Sequence, residues 1–328
     1  MSGNESMPRL AVFGAGVMGI GIATLALGRG VPVLLVDVDQ ERLGTARARI
    51  RNELRLAHLV GSLPRTGPVG ELELAETAMA AADAAWVIEA ITEVAELKAK
   101  VHREIASVVA PGTLRVTNTS SIPVDELAGQ IPSPEDLAGI HFMNPPYLIG
   151  TLEVVRGPRT GERAMSAVKD LLATLDRKGI VVGDGPGFVT SRVLHRLIND
   201  AANVVEEGRA TVEDVDALRE GCLGHPTGPL RTADLIGIDN LVDSLRVLHE
   251  RTGDEGCRPS ELLLRKVAEG NHGRKTGRGF YDRWSRGLRR SGSALSGRGS
   301  GRTRSGSLRR RCRPAGTSAA PPRRISAG

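Results

Sequence analysis

The feature that most constrains this chain is Gly14-Ala15-Gly16-Val17-Met18-Gly19, a GxGxxG set between an apolar run and a stretch of helical character. Residues 9–14 (RLAVFG) read as a short buried strand, and residues 17–30 as a helix that stops on Gly28 and Gly30. Residues 31–39 (VPVLLVDVD) read as a second buried strand that turns acidic at its end. Strand, helix and strand in this order form the building block of a parallel sheet. Gly14 permits the tight turn, Gly16 lets the backbone approach a pyrophosphate, and Gly19 lets the helix pack closely on the strand. The phosphates then rest on the free N–H groups of the helix N-terminus. Asp37 lies 23 residues after Gly14, where a carboxylate accepts hydrogen bonds from ribose hydroxyls and repels a 2′-phosphate. The expected cofactor is therefore NAD rather than NADP, held by Gly14, Ala15, Gly16, Val17, Met18, Gly19 and Asp37. A purely structural turn is the plain alternative, and the agreement of strand, helix and acid weighs against it.

The same pattern continues downstream. Residues 40–58 read as a helix, the Gly- and Pro-containing 61–70 as a turn, and 84–91 as a buried strand. A helix over 96–110 closes on Pro111-Gly112, and strands follow over 114–121 and 137–146, with an extended piece over 152–157. After Asp184-Gly185-Pro186-Gly187 the period becomes helical, over 188–207, 211–222, 233–250 and 260–270, with Thr211 and Asp214 opening the second of these as a capping box. The expected fold is α/β: an N-terminal Rossmann doubly wound sheet over residues 1–185 followed by an all-α C-terminal domain over 186–284. Residues 285–328 are rich in Arg, Ser, Gly and Pro without periodicity, and are expected to be disordered.

Charge would mislead if taken whole. The formal net charge is +6, but 12 arginines and no acid lie between Trp284 and Gly328, so residues 1–283 carry −6. The body is mildly acidic and offers no surface for specific nucleic-acid recognition; the tail would bind polyanions only non-specifically. No apolar run approaches the roughly 20 residues of a membrane helix, and the first residues lack a basic stretch followed by an apolar one. Cys222, Cys257 and Cys312 are far apart and in no metal spacing, which suits a reducing compartment, so the expected location is cytoplasmic.

Catalytic candidates gather at predicted strand ends, which face the ligand crevice of an open α/β sheet. His141 ends one strand, and an imidazole, with its near-neutral pKa, is suited to handle a hydroxyl proton while hydride moves. Glu153 follows 12 residues later on the next extended segment, where a carboxylate can fix the ring's tautomer. Ser120 and Ser121 close the preceding strand, with hydroxyls able to reach a substrate oxygen. A lone strand histidine is more often a satisfied core residue, so these residues alone leave the question open.

Seven segments in order lift it. GAGVMGIGIA (14–23), VIEAITEVAELK (87–98), NTSSI (118–122), HFMNPP (141–146), DGPGFVTSR (184–192), HPTGPLRTADLIGID (225–239) and GRKTGRGFYD (273–282) resemble the 3-hydroxyacyl-CoA dehydrogenases, in particular the short 3-hydroxybutyryl-CoA dehydrogenase type. The resemblance implies that His141 is the catalytic histidine, that Glu153 pairs with it and that Ser120 contacts the substrate oxygen. It further implies that Glu93 and Lys98 line the nicotinamide side, and that Ser120 and Asn144 shape the pocket beside cofactor and substrate. The substrate would be a thioester on coenzyme A, and a homodimer would form through the C-terminal domain. A related class beginning GxGxMG uses a catalytic lysine; the HFMNPP segment and the spacing of His141 and Glu153 argue against it. The presence of both residues also argues against a sensor that has lost catalysis.

Two departures bear on the substrate. Where the family's PGFxxNR carries a substrate-binding asparagine, this chain has Ser191, which is shorter and lacks the amide donors. Residues 50–75, where the family usually carries a lysine-rich helical hairpin that grips coenzyme A, contain no lysine here, although Arg51, Arg55 and Arg65 remain. The chain is also similar to family members that oxidise glyceryl groups on an acyl carrier protein for polyketide extender units. The carrier, coenzyme A or acyl carrier protein, thus stays open, and residues 50–75 also read as an ordinary variable loop.

Overall fold

The computed structural model describes residues 7–282; the expected disordered tail over 285–328 lies outside the described residues. The sheet begins with β1 (Leu10–Phe13), followed by α1 (Val17–Gly28), β2 (Val33–Val36), α2 (Gln40–Leu59) and β3 (Leu72–Ala75). The chain then returns to the other side of β1 as β4 (Trp86–Glu89), α3 (Ala95–Ala106), β5 (Leu114–Thr117), α4 (Val124–Ala128) and β6 (Leu137–His141). Two further strands, β7 (Thr151–Arg156) and β8 (Lys178–Gly183), flank α5 (Glu162–Thr174) and complete the order β3-β2-β1-β4-β5-β6-β7-β8. All neighbours are parallel except β6 and β7, which run antiparallel. This is the doubly wound sheet, and its strand order reverses between β1 and β4, so the crevice opens at their carboxyl ends.

Apolar pattern explains the layering. β1, β2, β4 and β5 are buried along their whole length, because helices cover both faces of a parallel sheet. The larger core packs α1 and α5 on one face, through Ile22, Leu25, Leu171 and Leu172. A smaller one, with Phe13, Leu34, Val87 and Ile105, packs α3 on the other. β3 and β8 were not apparent in the sequence, and both are edge strands: β3 is half-buried and β8 largely exposed. The predicted strand over 137–146 stops at His141, because Asn144-Pro145-Pro146 cannot continue a ladder.

The chain is helical from Thr190 onward: α6 (Thr190–Glu206), α7 (Val212–Leu223), α8 (Pro229–Ile236), α9 (Ile238–Thr252) and α10 (Glu261–Ala268). They enclose a separate aliphatic core that includes Ile198, Leu230, Leu241, Leu245 and Leu263. The Thr211 hydroxyl accepts from the Asp214 N–H at 3.1 Å, the capping bond the sequence predicts. The single helix expected over 233–250 is instead two, α8 and α9, broken at Gly237. Among the described residues, no helix is long and apolar enough to cross a membrane.

Candidate active site

The crevice at the end of β1 is shaped by its glycines. Gly14 has φ +106°, a conformation that side chains rarely adopt, and a Cβ there would stand 2.5 Å from the Ala90 carbonyl oxygen. A Cβ on Gly19 would lie 1.7 Å from the Gly14 carbonyl oxygen, so only glycine lets α1 sit this close to β1. Gly16 faces open space instead, with nothing within 4 Å of where its Cβ would be. No side chain caps α1 and no acid lies in its first turn, so its N–H groups remain free for an anion. Asp37 closes the opposite wall, accepting from the Ala15 N–H at 2.6 Å. An open glycine, an uncapped helix and a carboxylate across from them fit a dinucleotide.

Across the crevice, the antiparallel register sets His141 directly opposite Glu153. This register accounts for their spacing along the chain. The His141 Nδ1 lies 3.0 Å from Glu153 Oε2, and its Nε2 lies 3.0 Å from Ser120 Oγ. An ionised carboxylate can only accept, so Nδ1 carries the proton in this pairing and Nε2 of the neutral ring presents its lone pair. The other oxygen of Glu153 accepts from the Val189 N–H at 2.7 Å and the Thr190 N–H at 3.0 Å. Burial would raise the Glu153 carboxyl, but these bonds from His141, Val189 and Thr190 outweigh it and hold it below its usual value. The approach of α6 is unusual: Phe188 has φ +49°, and its ring meets His141 edge-on at 6.0 Å. A cavity of about 330 Å³ opens beside the pair, walled by Met143, Ile149, Ile180, Val182 and Val189.

Glu93 organises the loop that carries Ser120. One carboxylate oxygen accepts from Thr119 Oγ1 (2.5 Å), the Ser120 N–H (2.8 Å), the Ser121 N–H (3.0 Å) and Ser121 Oγ (3.1 Å). Burial opposes its charge, yet Lys98 and these donors keep its carboxyl below the usual range. Lys98 itself is fully buried, with Nζ 2.6 Å from Glu89 and 3.2 Å from Glu93. The resemblance implies that Lys98 lines the nicotinamide side; the structure places its ammonium against Glu89 and Glu93, with no exposed surface of its own. Burial would also raise Glu89, but His102 and Lys98 bring its carboxyl down to about 2.

Asn144 is exposed just beyond β6, joined to Pro145 by a cis peptide bond. Ser191 is buried in the first turn of α6, and its hydroxyl makes no hydrogen bond among the described residues. Reasoning from the sequence missed Asn118, whose side-chain oxygen accepts from the Phe142 N–H at 2.9 Å and fixes the chain just after His141. It also missed Asp184, which accepts from the Val124 and Asp125 N–H groups and ties the DGPGF turn to α4. Glu89, Thr117 and His102 were missed too; the acid inside VIEAI was the available signal, because a charge in a buried strand needs a partner.

Residues 9–185 match the model of the 3-hydroxyacyl-CoA dehydrogenase NAD binding domain, and residues 187–283 match that of the C-terminal domain. A 3-hydroxybutyryl-CoA dehydrogenase of Bradyrhizobium diazoefficiens is 38% identical over 277 residues, covering 84% of this chain and 94% of that protein. A probable 3-hydroxybutyryl-CoA dehydrogenase of Bacillus subtilis is 36% identical, covering 84% and 96% respectively. The crystal structure of (S)-3-hydroxybutyryl-CoA dehydrogenase from Ralstonia eutropha superposes with a TM-score of 0.76 at 32% identity, over 84% of this chain and 99% of that one. With models of both domains matched in order, the chain is an NAD-binding oxidoreductase that belongs to the 3-hydroxyacyl-CoA dehydrogenase family.

Proposed function

We propose that the protein oxidises the 3-hydroxyl of a 3-hydroxyacyl thioester such as 3-hydroxybutyryl-CoA to the 3-oxo group, and runs the reverse reaction at the same site. The observation that carries this reading is the line Ser120 Oγ–His141–Glu153, joined by contacts of 3.0 Å on both ring nitrogens. NAD, when bound against Gly14, Gly16, Gly19 and Asp37, supplies the acceptor for the hydride that leaves C3. His141 takes the hydroxyl proton on Nε2, and Glu153 stabilises the imidazolium that results. Val189 and Thr190 hold Glu153 from behind, so the carboxylate keeps one oxygen on the ring. Ser120 donates to the substrate oxygen, and Glu93 keeps the Ser120 loop in place. The names of the similar proteins support the thioester substrate. The test is NADH oxidation with acetoacetyl-CoA: saturable turnover supports the reading, and none at millimolar substrate rejects it for coenzyme A.

A second reading keeps the chemistry and changes the carrier. α2 ends at Leu59 and no second helix follows before β3, where the family usually places its hairpin. Arg65 is also engaged, donating to the His58 carbonyl at the end of α2. On this reading the substrate is a glyceryl group on an acyl carrier protein. NAD reduction with that substrate, in the absence of turnover of acetoacetyl-CoA, would favour it.

A further inference from the structure

The inward face of α6 carries three polar side chains at successive turns, Ser191, His195 and Asn199, all buried. The deepest is fully engaged. Asn199 Nδ2 donates to the carbonyls of Gly256 (3.1 Å) and Arg258 (2.7 Å), and its Oδ1 accepts from the Ser260 N–H (2.9 Å). His195, one turn nearer the site, is 6% exposed, and its Nδ1 is sealed from solvent without a hydrogen-bond partner among the described residues. Burying a polar ring without a protein partner is unfavourable, and a bound ligand reaching the ring's other nitrogen, Nε2, would offset that.

The position of His195 favours substrate as that ligand. The first residues of α6 are fixed on the catalytic pair, through the Val189 and Thr190 N–H groups on Glu153 and the Phe188 ring on His141. Helical side chains lean toward the N-terminus, so His195 covers the turn that holds Ser191. Ser191 is the position where the resembled family carries its substrate-binding asparagine. His195 is also close enough to His141 to feel its charge; burial first, then that charge, bring its pKa down to about 4. The ring is thus neutral near pH 7 and keeps one N–H donor without adding a cation beside His141.

Resting on the function proposed above, we infer that His195 supplies the hydrogen bond the missing asparagine amide would have made, donating to a carbonyl oxygen of the 3-oxoacyl thioester while Ser191 leaves room for the ring. The pair Ser191–His195 is then a substrate-binding unit and sets how the acyl thioester is held.

The experiment compares wild type, His195→Met, His195→Gln and the double variant Ser191→Asn/His195→Met. Each is assayed with whichever thioester the wild type turns over, acetoacetyl-CoA or the carrier-bound glyceryl group. NADH affinity and Tm are measured on the same preparations. The expected result is a loss of about 10²-fold in kcat/KM for His195→Met, the scale of one lost donor at a reacting carbonyl, with NADH affinity unchanged within twofold. His195→Gln, which keeps a donor, and the double variant, which restores the amide, should each recover at least about tenfold of that loss. The inference is overturned if His195→Met keeps kcat/KM within threefold of wild type. It is also overturned if the loss is shared by NADH affinity and neither His195→Gln nor the double variant recovers it, since His195 would then be packing alone. A wild type that turns over neither thioester rejects the proposed function itself, and the inference with it.

Discussion

Among the described residues two histidine–carboxylate pairs are buried at the same sheet, His102 with Glu89 and His141 with Glu153, and their surroundings differ. His141 and Glu153 meet at 3.0 Å, and the outer ring nitrogen faces Ser120 at the crevice. His102 and Glu89 are wholly buried and 3.6 Å apart, too long for a well-formed hydrogen bond, and neither ring nitrogen of His102 has a hydrogen-bond partner among the described residues. Burial holds the His102 ring toward its neutral form, with Glu89 pulling the other way. Lys98 Nζ lies closer to Glu89, at 2.6 Å, and is buried with it. An imidazole beside an acid is therefore no sufficient sign of a base; it must also present a free lone pair to a cleft. The sealed pair instead props Lys98, which props Glu93, which holds the Ser120 loop.

The contrast is challenged most strongly at Lys98. Replacing it with Met leaves Glu89 buried without its cation, and should cost about 3–5 kcal/mol of unfolding free energy in denaturant melts. A variant within about 0.5 kcal/mol of wild type would mean that the sealed cluster is not a charge network. Glu153→Gln comes next: losing the carboxylate behind His141 should lower kcat by about 10²-fold, read from steady-state rates with NADH binding preserved. On the proposed function Ser120→Ala loses one hydrogen bond to the reacting oxygen, and the expected cost is roughly tenfold in kcat/KM. An unchanged rate would take Ser120 out of the site.

The smallest effect concerns acid. Glu89, Glu93 and Glu153 are all held below the usual carboxylate value of 4.5, so each contributes stability that is fully present above about pH 4.5. That stability is lost as pH falls through the folded values, which for Glu89 means toward about 2. Thermal melts between about pH 7 and 3 should show Tm falling below about pH 4.5, and Glu153→Gln should flatten part of that fall. An identical slope in the variant would contradict the pairing with His141 and the Val189 and Thr190 amides.

Much of this architecture was legible in the sequence because it rests on local pattern. Gly14, Gly16 and Gly19 mark a turn that only one strand–helix arrangement satisfies, and apolar runs at 10–13 and 33–36 mark strands covered on both faces. His141 and Glu153 stood out through their spacing, which the β6–β7 register turns into a contact. What escaped detection depends on long-range placement. β8 is an exposed edge strand whose apolar residues carry no buried pattern, and its partner β7 is what defines it. Lys98 was expected, from the resemblance, on the nicotinamide side, and only the fold shows it fully buried between Glu89 and Glu93. Nothing in the helical period over 188–207 singles out His195, and its isolation becomes visible only once Asn199 is seen to take the nearby carbonyls.

The division of labour between the two buried pairs requires that only His141–Glu153 handles the substrate proton. NADH oxidation with acetoacetyl-CoA by wild type, His141→Gln and His102→Gln, with NADH binding titrated in parallel, decides the matter. The expected result is turnover by the wild type, a loss of about 10³-fold in His141→Gln with NADH affinity intact, and a loss below about tenfold in His102→Gln. Near-normal turnover in His141→Gln, or an equal collapse in His102→Gln while its NADH affinity holds, would contradict it.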